Sequence, residues 1–147
     1  MNGRAVIRAR HHARRAALQA LYQLQINPRP WQDVYQQYAT DPQASRADLE
    51  YFRSLLMGIS EQTGELDAFA ARFGQILPND LDPVERAVLW LGLHELLSHP
   101  ELPYRVILDE AVKLARRFGA TDGHKYVNAV LDRAAREMRS TEYGAAS

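Results

Sequence analysis

His94-Glu95-Leu96-Leu97-Ser98 opens like the helix of a zinc protease and then departs from it. Such a helix needs two imidazoles one turn apart to hold the metal, with a glutamate beside them as general base. Ser98 stands where the second imidazole is required, and His99 comes one residue too late. The segment therefore carries no metal site. His11 and His12 are adjacent, so on a helix they point about 100° apart and do not chelate together. There is no glycine-rich phosphate loop and no Ser/His/Asp order, and acids and bases are scattered at ordinary helix-surface spacing. Neither catalysis nor a cofactor is expected.

Basic and aromatic residues offer different chemistry. Arg4, Arg8, Arg10, Arg14 and Arg15 all precede the first acid, Asp33, in a chain whose formal net charge is zero. A neutral protein can still hold an anion on such an arm, because exposed charges are screened over roughly 8–10 Å at cellular salt. If the arm runs into a helix N-terminus, free backbone N–H groups add to its hold on phosphate. A second cluster, Asp122-Gly123-His124-Lys125-Tyr126, opens the last predicted helix. There Lys125 suits a phosphate and Tyr126 a stacked base, the pair of contacts by which single-stranded RNA is held. The plainer alternatives are a solvated basic tail and a tyrosine on the edge of the core.

Helices must position these residues. The run Asp82–Leu97 is the best marked. Asp82 is a helix N-cap, Pro83 fits the first helical position, and Glu85 completes a capping-box spacing. Val84, Val88 and Leu91 form one apolar stripe, and Leu89, Leu93, Leu96 and Leu97 form another. A helix apolar on nearly every side belongs inside a bundle. The first helix is predicted from about Arg8 to Ile26, with Ala13, Ala17, Ala20, Leu21 and Leu24 inward. A second apolar line, Leu18, Tyr22 and Ile26, lies about 140° round from that face. Either both lines belong to one core or Tyr22 and its neighbours face a partner protein.

Pro28 and Pro30 end that helix, and Trp31, Val34, Tyr35 and Tyr38 predict a short second one. Asp41-Pro42 and Ser45 mark a turn. A third helix starts near Asp48 and runs towards Phe73, with a kink or break between Gly58 and Gly64. After the central helix, Ser98-His99-Pro100 and Pro103 form a connector. A helix then covers about Tyr104 to Phe118, followed by Gly119 as a left-handed cap. Thr121 or Asp122 starts the last helix, with Val127, Val130, Leu131, Ala134 and Met138 inward. The ends, about 1–7 and 141–147, are expected to fray. No strand pattern or repeat is present. The expectation is an all-α bundle of about six to seven helices in two small subdomains, one functional domain over residues 1–147. Absent cysteine, a signal-like start or a membrane span, the expected location is intracellular and cytoplasmic.

The chain resembles the NusB family of bacterial transcription antitermination factors. The resemblance rests on Arg14-Arg15-Ala16-Ala17-Leu18-Gln19-Ala20-Leu21-Tyr22, on Asp48 to Gly58, and on Pro83-Val84-Glu85-Arg86-Ala87-Val88-Leu89. It continues through Leu102-Pro103-Tyr104 to Phe118-Gly119-Ala120 and His124-Lys125-Tyr126-Val127-Asn128-Ala129-Val130-Leu131-Asp132. Five ordered matches span about Arg10 to Glu137. The resemblance implies binding to boxA, a single-stranded element of ribosomal RNA leader transcripts. It implies a heterodimer with NusE, a small-subunit ribosomal protein, within the RNA polymerase antitermination complex.

Carried over by position, the RNA side is Arg10, His11, His12, Arg14 and Arg15 with Asp122, His124, Lys125 and Tyr126. Tyr22 and Glu85 match the NusE side, and Leu18 and Ile26 join Tyr22 on the second apolar line. His11 and His12 stand where relatives often carry arginine, which lowers phosphate attraction at neutral pH. The same helical domain also occurs fused to ribosomal RNA methyltransferases, but no cofactor-binding α/β domain is present in these residues. The alternative is a homodimerising helical protein whose RNA surface is masked.

Overall fold

A computed structural model describes residues 3–42, 44 and 47–146, the last by its backbone alone; Ser45 and Ser147, placed above in a turn and at a fraying end, lie outside the described residues, as do Met1 and Asn2. Among the described residues the secondary structure is helical throughout: α1 Gly3–Ile26, α2 Trp31–Ala39, α3 Leu49–Ser60, α4 Thr63–Phe73, a 3₁₀ turn Pro78–Asp80, α5 Pro83–Ser98, α6 Tyr104–Phe118, α7 Gly123–Met138 and α8 Ser140–Ala146. The chain divides into two compact units, Met1–Glu61 and Gln62–Ser147. The break falls between Gly58 and Gly64, where the long third helix was expected to kink or end.

In the first unit, α1 packs on α3 and α2. Ala13, Ala17, Leu18, Ala20 and Leu21 are buried along it. Leu18 is thus a core residue, which corrects its placement on a partner face. The helix starts at Gly3 instead of Arg8, because Arg4 to Ile26 contains no glycine or proline and its arginines and alanines are good helix formers. Phe52 of α3 is fully buried, with the rings of Tyr35 and Tyr38 5.5 and 5.9 Å away.

In the second unit, α5 is buried from Ala87 to Leu96, as expected for a helix apolar on nearly every side. Only Leu97 of its predicted stripes emerges into solvent. Asp82 caps it by accepting from the Val84 N–H at 2.8 Å. Helices α4, α6 and α7 surround α5. Gly92 lets Leu131 of α7 come close, since an added Cβ would lie 2.6 Å from a Leu131 methyl. On the α4 side, Asp67 accepts from Arg86 Nη2 at 2.6 Å and Arg86 Nε at 3.2 Å, and from the Trp90 indole at 2.8 Å.

Two expectations about chain ends and turns are corrected. Gly119 has extended backbone, φ −90° and ψ −179°, and the left-handed conformation belongs to Asp122, φ 65°. Residues 141–147 were expected to fray, but those of them that are described belong to α8, Ser140–Ala146. Tyr143 stacks on Tyr104 at 5.0 Å, and Glu142 accepts from the Tyr104 N–H at 2.8 Å. Polar composition suggested a loose tail, but these two side chains tie it down.

Candidate nucleic-acid and partner surfaces

The basic arm of the first unit is a helix, and this changes what its residues can do. Only the first turn of an α-helix has free N–H groups. With α1 starting at Gly3, Arg10 to Arg15 lie beyond that turn. Phosphate binding by helix-end N–H groups therefore does not operate there. Arg4 and Arg8 are exposed, while Arg10, His11, His12 and Arg15 are half-buried. Arg14, expected on the RNA side, is only 4% exposed. The guanidinium groups of Arg10 and Arg14 lie 4.7 and 5.5 Å from the centre of the Tyr51 ring. Both cations are drawn to the negative face of the ring, and this packing helps hold α1 against α3. The sequence reading missed Tyr51, whose position beside Phe52 resembles an ordinary helix flank.

His12 and Arg15 instead line a cleft of about 150 Å³ in the same unit, together with Gln19, Tyr38 and Asp41. On another part of α1, Tyr22 is 42% and Ile26 62% exposed. Two of the three residues on the second apolar line thus remain open to a partner.

The second cluster lies where α6 turns into α7. Lys125 extends into solvent with its side chain 71% exposed, pairing with Asp122 at 3.2 Å. An exposed pair of this kind contributes little stability, so it leaves Lys125 able to exchange its carboxylate for phosphate. His124 and Tyr126 are half-buried. The Tyr126 hydroxyl accepts a hydrogen bond from the Ile76 N–H at 3.0 Å, and a Cβ on Gly74 would overlap that hydroxyl. The ring is therefore held at its far end, a constraint that residue type alone does not reveal. Asp122 occupies the N-cap position of α7 without a side-chain cap hydrogen bond.

Glu85 is the largest departure from the expected site. It is 3% exposed, and its Oε1 accepts from the Ala120 N–H at 2.9 Å. Burial raises its pKa, with Asp82 adding to the rise and the Ala120 hydrogen bond opposing it. Its carboxylate belongs to the interior of the α6–α7 turn and presents no contact to a docked protein in this conformation.

The model of the NusB family matches residues 11–136. The chain belongs to the NusB family. It is 42% identical to the transcription antitermination protein NusB of Hahella chejuensis, over 93% of this chain and 92% of that one. It is 44% identical to that of Nitrosococcus oceani, over 91% of this chain and 90% of that one. Among solved structures, a NusB of T. maritima is similar with a TM-score of 0.78 and 28% identity, covering 91% of this chain and 96% of that one. A crystal structure of antitermination factors NusB and NusE in complex with dsRNA shares the fold, with a TM-score of 0.75 at 22% identity, over 86% and 96% of the respective chains. The family accounts for the all-α architecture. Among the described residues, no helix is long and apolar enough to cross a membrane.

Proposed function

We propose that this protein is a transcription antitermination factor that binds boxA RNA of ribosomal RNA leader transcripts together with NusE. The observation that carries the reading is its 42–44% identity, over more than nine-tenths of its length, to proteins named transcription antitermination protein NusB. The similar fold described with NusE and dsRNA supports NusE and an RNA as the partners. Arg4, Arg8 and Arg15 of α1 and Lys125 of α7 supply phosphate contacts, and the Tyr126 ring stacks a base. Arg10 serves mainly through its place over Tyr51, and Arg14 supports the helix from beneath. The protein acts by binding, without catalysis, as part of the RNA polymerase antitermination complex.

Two substitutions separate the kinds of RNA contact. Stacking on one aromatic ring contributes about 1–3 kcal/mol, so Tyr126→Ala should weaken boxA binding roughly 5- to 150-fold, largely independent of salt. Lys125→Ala should flatten the dependence of affinity on salt, because fewer counterions are released when a phosphate contact is lost. Lys125 is a better probe than Arg14, whose burial would mix binding with stability. The measurement is a titration of single-stranded boxA RNA, and of a duplex control, across a salt series with NusE present. Parent-like binding by Tyr126→Ala would remove the stacking role.

On the partner side, Tyr22 and Ile26 of α1 form the NusE-facing surface. Tyr22→Asp is expected to weaken NusE binding while the melting temperature stays near that of the parent, because the exposed ring contributes little to the core. Unfolding of this variant would instead return Tyr22 to the core.

A further inference from the structure

The buried carboxylate of Glu85 sits in a space that only glycine leaves open. An added Cβ on Gly119 would lie 2.5 Å from Glu85 Oε1, and one on Gly123 would overlap the same oxygen. Neither glycine has a positive φ, so their missing side chains serve this close approach and not an unusual backbone. Between them, Ala120 donates its N–H to Oε1. The backbone turn closes from the Gly123 N–H to the Ala120 carbonyl at 3.0 Å, and Asp122 takes up its left-handed conformation within it. The side chain of Asp122 makes no cap hydrogen bond to α7 and pairs with Lys125 instead, while the carboxylate set against Gly123 is that of Glu85.

We propose that Glu85 is a positioning residue for RNA binding: seated between Gly119 and Gly123, it fixes the turn from which Lys125 and Tyr126 reach the RNA. This rests on the reading of the protein as an RNA-binding factor. The whole of α6 lies between Glu85 and the residues it serves in sequence, and Glu85 touches no RNA itself. Its effect passes through Ala120 and Gly123 to the first turn of α7.

The test is a double-mutant cycle in the full chain, read by boxA titration without NusE and by hydrogen exchange at the Ala120 amide. Glu85→Ala removes the carboxylate. Gly123→Ala leaves it in place but pushes a methyl group into its seat. Each is expected to weaken RNA binding several-fold and to speed exchange at Ala120. The double variant should be no worse than Glu85→Ala alone, because the methyl group then enters space already vacated. Glu85→Gln keeps an oxygen for the Ala120 N–H and should bind RNA nearly as the parent does, which also covers the case in which Glu85→Ala fails to fold. The inference is overturned if the two single losses add, or if Glu85→Gln is as weak as Gly123→Ala. It is also overturned if Glu85→Ala loses NusE binding at unchanged RNA affinity. A parent that binds no RNA in this titration sinks the RNA reading and this inference with it; a parent that binds while Glu85→Ala binds equally sinks this inference alone.

Discussion

Replacing Arg139 with alanine is expected to cost about 2–3 kcal/mol of stability, because a guanidinium whose side chain is 9% exposed makes charge-assisted hydrogen bonds to several part-buried carbonyls. Its guanidinium donates to the Leu96 and Leu102 carbonyls at 3.0 and 2.8 Å, and to those of Glu95 and His99 at 3.3 and 2.9 Å. Glu142 closes the set at 2.8 Å. Three of these carbonyls belong to the end of α5 and the residue after it; those of Glu95 and His99 also accept from the His99 and Leu102 N–H groups at 3.0 Å each, so the guanidinium is a second donor to them. A cation at that end also meets the negative pole of the helix dipole. Without Arg139 the carbonyls of Leu96 and Leu102 lose a donor in a part-buried place, and Glu142 loses its counter-charge beside Tyr104. Lysine brings a single point charge that cannot replace a planar fork with several donors, so Arg139→Lys should recover only part of the loss. Chemical denaturation of the parent and both variants measures this. A loss below about 1 kcal/mol for alanine, no more than one ordinary hydrogen bond, would show that solvent replaces the guanidinium without difficulty.

Arg139 illustrates which parts of the molecule were legible in the chain. Helix α5 was legible because its evidence is local: a capping aspartate, a proline at the first position and apolar residues on nearly every side. The break after Ser60 was legible from two glycines. Position in a helix does not reveal what a long polar side chain reaches, however, and several of the missed features are of that kind. Arg139 ends α7 like any surface arginine, but its partners lie more than thirty-five residues earlier in the chain. Tyr143 and Glu142 sit in a tail of small polar composition, and only their contacts with Asp132, Arg139 and Tyr104 make it a helix.

The candidate site was legible by residue type and less so by role. Lys125 is as exposed as its place on α7 suggested, and Tyr22 and Ile26 do emerge on the surface. Leu18 shares their line but is turned into the core by the crowding of α1 against α3. Arg14 looked like one more member of a basic arm. A ring at Tyr51, nearly forty residues on, gives it a buried place that no count of arginines reveals. Glu85 has the spacing of a capping-box glutamate, yet its carboxylate is drawn to Ala120 because Gly119 and Gly123 leave it room. Glycine, the residue with least to say about periodicity, decides where this charge goes.

Acid is expected to destabilise the protein through His94, by about 3 kcal/mol between pH 7.5 and pH 4. His94 is buried in α5, and its Nδ1 has no hydrogen-bond partner among the described residues. Burial first, and the His99 ring 5.5 Å away second, lower its pKa from 6.5 to about 4. One pKa unit corresponds to about 1.4 kcal/mol, which sets the size of the effect. The sign follows from where protons bind. Between pH 6.5 and 4 the unfolded chain protonates this imidazole and the folded protein does not. The stabilisation is therefore complete above pH 6.5, and it is lost as pH falls towards 4. Glu85 works in the opposite sense, since its raised pKa makes its contribution more favourable as pH falls. The parent's pH profile thus combines both groups. Comparing it with His94→Leu, a buried apolar side chain of similar size, isolates the histidine. The variant should lose much less stability than the parent from pH 7.5 to 4.5, while Glu101, paired with His99 at 3.2 Å, is common to both proteins. Equal losses in the two would mean that His94 takes up its proton inside the fold, and that water or a shifted His99 reaches the ring.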